Sequence, residues 1–113
     1  MKPPFFATRA HVLVCTGPNC TRRGADLLFK ALWAGLEREK LAYYTAGSLR
    51  LTESGCLGSC QFGPSLTCYF RRPLQPGSLG EAWYAGVTYP GAMALARALH
   101  EGAALPDEGR YDR

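Results

Sequence analysis

Two pairs of cysteines constrain this chain more than any other feature of its sequence. Cys15 and Cys20 are separated by four residues, Cys56 and Cys60 by three, and 35 residues lie between the two pairs. A fifth cysteine, Cys68, follows eight positions after Cys60. An odd number of cysteines does not suit a closed set of disulfides, and cytosolic thiols are normally kept reduced. The grouping therefore indicates metal or redox chemistry.

Composition places these cysteines in one small domain. The chain has 113 residues, of which 47% are hydrophobic and 19% are charged, enough to bury one core but not two. No apolar run approaches the roughly 20 residues of a membrane-spanning helix, and the N-terminus lacks the pattern of a signal peptide. We therefore predict a soluble, cytoplasmic protein with no membrane partner. The net charge of +4 comes without a long basic run or a nucleic-acid motif, so no nucleic-acid partner is expected.

The hydrophobic pattern predicts the element order β-α-β-β-β-α. Strands are predicted at 9–15, 49–52, 66–71 and 81–87. One helix is predicted at 24–41, and a second has Pro90 in its first turn and stops at Gly102. The last two strands are expected to form a hairpin with a long loop. The predicted fold is therefore α/β, a small mixed sheet of about four strands flanked by two helices.

The domain is expected to span residues 9–102. Residues 1–8 form a short N-terminal extension before it. Residues 103–113 are polar, and we expect this C-terminal tail to fray.

The predicted elements place the first cysteine pair at the end of the first strand. The second cysteine pair falls in the loop before the third strand, and neither pair is expected on a regular element. A two-iron cluster takes four thiolates, two per iron, which two chain-distant pairs can supply. Nearby glycines let the backbone approach the sulfurs and offer them amide groups; they are Gly17, Gly55, Gly58 and Gly63. No Asp or Glu falls inside either pair. An iron–sulfur cluster is therefore favoured.

Two other kinds of cysteine chemistry remain open at this point. Structural zinc also takes four thiolates, although it usually uses Cys-x2-Cys knuckles. A dithiol–disulfide oxidoreductase prefers a Cys-x-x-Cys motif that opens a helix, and this chain has no such motif. Cys68 lies in a predicted strand, where a free thiol packs as a small apolar side chain.

Two segments resemble the thioredoxin-like [2Fe-2S] ferredoxin family. They are Cys15-Thr-Gly-Pro-Asn-Cys20 and Gly55-Cys56-Leu-Gly-Ser-Cys60-x-x-Gly-Pro64, and the segment 83–87 before the last helix is also similar. The similarity covers roughly residues 9–102. It implies that Cys15, Cys20, Cys56 and Cys60 are the ligands of a [2Fe-2S] cluster, and it gives Cys68 no ligand role.

The resemblance also implies a thioredoxin-like fold and a function. The family consists of one-electron carriers between a redox protein donor and acceptor, not enzymes, and its free-standing members are often homodimers. Related proteins are electron-transfer subunits of NAD-linked dehydrogenases and hydrogenases, including the small iron–sulfur subunit of respiratory NADH:quinone oxidoreductase. Only eight residues precede the first strand here, where that subunit carries a helical extension. We therefore expect a free-standing ferredoxin, with the complex subunit and a zinc-stabilised interaction domain as alternatives.

Overall fold

The computed structural model describes residues 2–3, 7–43, 48–58, 62–72, 75 and 77–112, apart from the side chain of Asn19. Its strands and helices are, in chain order, β1 Ala10–Cys15, α1 Pro18–Arg22, α2 Ala25–Arg38, β2 Leu49–Ser54, β3 Leu66–Arg71, β4 Leu79–Tyr84 and α3 Tyr89–Glu101. The predicted order is confirmed, with one addition. The short helix α1 lies where the sequence predicts a loop, because Gly17 is extended at its N-cap and Pro18 at its first position has φ already set for a helix.

The four strands form one mixed sheet in the order β2-β1-β3-β4. β1 pairs in parallel with β2 and antiparallel with β3, and β3 and β4 form the predicted antiparallel hairpin. β4 begins and ends earlier than the predicted 81–87, because its register with β3 places Leu79 opposite Arg71 and Tyr84 opposite Leu66. Gly86, with φ of +61°, then turns the chain toward α3.

Both long helices pack on one face of this sheet. Helix α2 buries Leu28, Leu32 and Leu36 through their four-residue spacing. Helix α3 contacts α2 at Gly35, where an added Cβ would lie 2.5 Å from Tyr89 Oη and 2.9 Å from Met93 Sδ. Since α2 contacts β1, α3 contacts the neighbouring β2 and the helices touch each other, they cannot lie on opposite sides of the sheet.

Strand alternation shows which side chains face the helices. The buried set is Ala10, Val12, Val14, Leu49, Leu51, Leu66, Cys68, Ala82 and Tyr84. These positions recur at every second residue and are aligned across the strands by the register. The core therefore lies between this face of the sheet and the two helices.

The C-terminal tail is paired with β4, and the expectation that it frays is wrong. The amide of Ala85 donates to Gly109 O at 2.9 Å, and the amide of Tyr111 donates to Trp83 O at 3.0 Å. The Tyr84 hydroxyl donates to the carbonyl of Pro106 at 2.8 Å. The tail can be polar because backbone hydrogen bonds along β4 hold it and it buries few side chains.

Within the described part of the chain, none of the helices has the length and apolar character needed to cross a lipid bilayer.

The packing of α2 predicts that substituting its buried leucine lowers thermal stability far more than substituting its exposed leucine. Leu32 is 1% exposed and Leu27 is 67% exposed. Leu32→Ala leaves a cavity that costs about 2–5 kcal/mol, which lowers the thermal midpoint by on the order of 10 °C. Leu27→Ala is the matched control, and thermal unfolding followed by circular dichroism measures both. Equal midpoints for the two variants would contradict the packing described.

The paired tail predicts a local loss of protection when it is removed. In a chain that ends at Gly102, the amide of Ala85 loses its acceptor Gly109 O, and the amide of Trp83 loses the Asp112 carboxylate, which accepts from it at 3.2 Å. Hydrogen–deuterium exchange should accelerate at these two amides and stay unchanged at Val12 in the central strand. Unchanged exchange at Ala85 would show that the tail does not protect β4.

Candidate metal centre

The first cysteine pair spans the end of a strand and a short helix. Cys15 is the last residue of β1 and Cys20 lies in α1, so the expectation that neither is on a regular element is wrong. Both side chains are 0% exposed. The segment between them is compact, since the amide of Thr21 donates to Gly17 O at 2.9 Å and its hydroxyl donates to Thr16 O at 3.0 Å. Hydrogen bonds therefore hold the connection between the two cysteines of the first pair.

The second pair belongs to the glycine-rich loop after β2. Cys56 is exposed there, and the amide of Gly58 donates to Cys56 Sγ at 3.4 Å. Gly58 has φ of +93°, a left-handed conformation that glycine adopts without steric cost. The expected amide hydrogen bond to sulfur is thus present for this cysteine.

The two pairs approach each other at Gly17. An added Cβ at Gly17 would lie 3.6 Å from Cys15 Sγ and 3.5 Å from the Cα of Cys56. The reason is the parallel pairing of β1 and β2, whose register places Cys15 opposite Ser54. The chain leaves both strands at the same edge of the sheet, so one cysteine of each pair lies beside the same glycine.

The structure does not assemble the whole predicted ligand set. Cys60 lies outside the described residues, as do its neighbours Ser59 and Gln61. Among the residues that are described, no group of three or more His, Cys, Asp or Glu side chains is placed to hold a metal ion. Cys15 and Cys56 both lie next to Gly17. Cys20 is the third residue of α1 and is buried.

A carboxylate that the sequence pattern did not reveal borders the site. The hydroxyl of Thr16 donates to Glu53 Oε2 at 3.4 Å, although Glu53 is outside both cysteine pairs. Its position follows from the parallel register, in which Val14 lies opposite Glu53 on β2. Arg22 and Arg23 are exposed at the end of α1, so the surroundings carry charges of both signs.

The far end of the second loop is anchored by the turn between β4 and α3. The amide of Gly86 donates to Phe62 O at 2.5 Å, and the amide of Val87 donates to Pro64 O at 3.0 Å. The Gly63–Pro64 peptide bond is cis. Phe62 is 69% exposed on this anchored segment. The segment 83–87 thus has a role in holding the loop that its sequence alone did not reveal.

The fifth cysteine lies away from the loops, in the core. Cys68 is 0% exposed on β3, between Val12 of β1 and Ala82 of β4. Burial raises the pKa of its thiol from 9.0 to about 12, against smaller lowering by Arg110 and by a hydrogen bond to the backbone of Ala82. The prediction of a buried core thiol is confirmed.

The residues available suit an iron–sulfur group in their chemistry. Thiols are its usual ligands, and hydrogen bonds from backbone amides to sulfur stabilise the negative charge that four thiolates bring. Cys15 and Cys56 supply such thiols at the carboxyl ends of β1 and β2, and Gly58 supplies an amide. These described donors are therefore of the kind that an iron–sulfur cluster takes.

Comparison with known proteins identifies the class. A model of the thioredoxin-like [2Fe-2S] ferredoxin family matches residues 6–70, which is more than half of the chain and includes all five cysteines. No curated protein matches this sequence. The chain belongs to the thioredoxin-like [2Fe-2S] ferredoxin family, and membership makes it an iron–sulfur electron carrier.

Solved structures agree with this fold. The wild-type thioredoxin-like [2Fe-2S] ferredoxin from Aquifex aeolicus superposes with a TM-score of 0.70 at 20% identity, covering 95% of this chain and 100% of that one. A cysteine-to-serine variant of that ferredoxin gives a TM-score of 0.68 at 19% identity, covering 92% and 99%. A further structure of a thioredoxin-like [2Fe-2S] ferredoxin from Aquifex aeolicus gives 0.62 at 22% identity, covering 87% and 86%. The predicted thioredoxin-like α/β fold is confirmed.

The raised pKa of Cys68 predicts a pH-dependent reactivity. Between pH 9 and 12 the thiol stays protonated in the fold but ionises in the unfolded chain, so its contribution favours folding below pH 9 and is lost as the pH rises toward 12. At pH 10, alkylation of Cys68 by iodoacetamide should be at least about tenfold slower in native than in denatured protein. Mass spectrometry of the Cys68 peptide measures this. Equal rates would contradict the burial.

Proposed function

We propose that this chain is a [2Fe-2S] ferredoxin that receives one electron from a donor redox protein and delivers it to an acceptor. Cys15, Cys20, Cys56 and Cys60 would hold the cluster, which supplies a centre that gains and loses single electrons. The approach of Cys15 and Cys56 on either side of Gly17 is the observation that carries this assignment, because it joins the two chain-distant pairs.

The surroundings of these cysteines support electron exchange at the surface. Cys56 is exposed and Cys15 is buried directly behind Gly17. Exposed apolar side chains lie on both cysteine segments, Pro18 on the first and Phe62 on the second. A partner protein that docks on this rim would approach the thiols closely, while the anchoring of the loop by Gly86 limits how far the chain must reorganise.

Two polar groups near the thiols, a backbone amide and a carboxylate, act on the proposed cluster through their charge. The amide of Gly58 donates to Cys56 Sγ and would stabilise the more negative, reduced form. The carboxylate of Glu53, held at Thr16, would oppose added negative charge. These two groups are therefore expected to shift the reduction potential in opposite directions.

The proposal also covers the domain bounds, the oligomeric state and the cellular location of the protein. The ferredoxin domain would span residues 9–102, preceded by the extension 1–8 and followed by the segment 103–113. The chain would act as a homodimer. It would work in the cytoplasm without a nucleic-acid or membrane partner.

Cysteine variants at the proposed ligands and at Cys68 test the ligand assignment. Cys56→Ala removes a proposed ligand without offering a replacement oxygen, and it should abolish or strongly reduce the visible absorption and the iron and sulfide content of anaerobically purified protein. Cys20→Ala should do the same. Cys68→Ser makes a similar change at a buried thiol with no proposed ligand role, and the cluster should be retained.

Electron paramagnetic resonance of the dithionite-reduced protein completes the experiment. A signal from a reduced two-iron cluster is expected for the wild-type chain and for Cys68→Ser. Zinc without inorganic sulfide would overturn the proposal and select a zinc-stabilised domain. Loss of the cluster in Cys68→Ser, with retention in Cys20→Ala, would overturn the ligand set. Copurification with a flavin-binding subunit would instead indicate a component of a dehydrogenase or hydrogenase complex.

A further inference from the structure

Backbone hydrogen bonds hold the turn between β4 and α3 from two directions. The amide of Ala85 donates to Gly109 O of the C-terminal tail at 2.9 Å. The next two amides of the chain donate instead to Phe62 O and Pro64 O, in the loop that carries the second cysteine pair. Residues 85–87, which we call the anchor turn, therefore connect the tail to this loop within three consecutive positions.

The anchor turn contacts the loop just after the second cysteine pair. Phe62 lies two positions after Cys60, a proposed ligand, and its carbonyl accepts from the amide of Gly86 at 2.5 Å. Gly86 has φ of +61°, and an added Cβ there would lie 3.7 Å from the same carbonyl. The anchor turn therefore fixes where the chain returns from the second cysteine pair toward β3.

The tail approaches the anchor turn closely at Gly109. An added Cβ at this glycine would lie 2.8 Å from Ala85 O, which belongs to the backbone and cannot rotate away as a side chain can. Gly109 also has φ of +79°, a left-handed conformation that favours glycine. A side chain at this position would therefore push the tail away from the anchor turn.

An ion pair binds the next residues of the tail along β4. Arg110 Nε lies 2.8 Å from Asp112 Oδ1, and the two side chains are only 14% and 19% exposed. Asp112 Oδ1 also accepts from the amide of Trp83 at 3.2 Å, and Arg110 Nη2 donates to Glu81 O at 3.4 Å. The tail is therefore attached to β4 directly beside Gly109.

A cavity of about 340 Å³ lies beside the anchor turn. Its walls include the anchor turn, the first residues of α3 and the tail residues Pro106, Glu108 and Gly109. Because side chains do not fill this space, the anchor turn depends on its backbone hydrogen bonds for its position. β4 is an edge strand, so the tail supplies these bonds on the side where a further strand would otherwise lie.

We propose that the C-terminal tail positions the second cysteine pair through the anchor turn, with Gly109 as the positioning residue. Gly109 holds Ala85, and the anchor turn in turn holds the carbonyl of Phe62. Loss of this support lets the loop open more often, so that Cys56 and Cys60 release metal sooner. The effect on the cluster rests on the proposed function, whereas the effect on the loop is independent of it.

Two glycine substitutions with matched backbone strain test this positioning by hydrogen–deuterium exchange on the full-length chain. Gly109→Ala should accelerate exchange at the amides of Gly86 and Val87 by about tenfold or more, since their acceptors lie on the loop. Gly77→Ala has a similar left-handed cost, with φ of +85° against +79°, but nothing lies within 4 Å of its added Cβ. It should leave exchange at both amides unchanged.

Gly109→Asn separates the close approach from the backbone conformation. Asparagine tolerates a left-handed φ but still brings a Cβ toward Ala85 O, so it should accelerate exchange at the anchor turn as Gly109→Ala does. Exchange at Val12 in the central strand should stay slow in all three variants.

Three results of the exchange measurement would overturn the proposal. They are equal exchange at the anchor turn in Gly109→Ala and Gly77→Ala, a wild-type rate there in Gly109→Asn, and an acceleration at Val12 as large as at the anchor turn. The last of these would indicate a general loss of stability rather than a local release of the loop.

The same variants with the cluster bound test the consequence for the metal centre. Visible absorption followed in the presence of an iron chelator should decay severalfold faster in Gly109→Ala than in Gly77→Ala. Equal decay, with faster exchange at the anchor turn, would overturn the positioning role for the metal centre. A wild-type chain that holds no iron but shows the expected order of exchange rates would support the hold of the tail on the loop and overturn the ferredoxin function instead.

Discussion

The parallel pairing of β1 with β2 is the constraint on which the rest of this structure depends. Parallel neighbours need a long crossover, and α2 supplies it. The same pairing brings the carboxyl ends of both strands to one edge of the sheet, where Cys15 and the loop with Cys56 lie. The fold thus brings Cys15 and Cys56, which belong to motifs separated by 35 residues, to the same glycine, Gly17. Without this register, Cys15 and Cys56 would not lie close to each other.

Packing of both helices on one face depends on small side chains as well as large ones. Gly35 allows the side chains of Tyr89 and Met93 to approach the backbone of α2 closely. The leucines of α2 can then reach the buried face of the sheet beside those of α3. The helices and the sheet face share one core, and the opposite face keeps its mixed aromatic and charged character.

The sequence predicted the elements whose signals are local and periodic. The four-residue spacing of leucines located α2, and strand alternation located β3. It missed α1, because five residues are too few for a helical period to show, and it placed β4 late, because only pairing with β3 sets that register. The tail was predicted to fray because its hydrogen bonds to Trp83 and Ala85 are long-range and leave no apolar pattern.

In the candidate metal centre, too, local features could be predicted from the sequence and long-range contacts could not. The spacing and glycine context of the cysteines marked the candidate ligands, since these are properties of short segments. The approach of Glu53 to Thr16 and the anchoring of Phe62 by Gly86 depend on strands that lie far apart in the chain. No local pattern reports such contacts.

The C-terminal tail, which pairs with β4, also limits association of this sheet with further strands of other copies of the chain. An uncovered edge strand offers a row of free amides and carbonyls to any extended chain, and growth by strand addition starts there. Hydrogen bonds from Ala85 to Gly109 and from Tyr111 to Trp83 occupy part of that row. At the other edge, β2 carries Arg50 and Glu53, charges that discourage a foreign strand from joining. The sheet is therefore guarded against open-ended aggregation on both sides by different means.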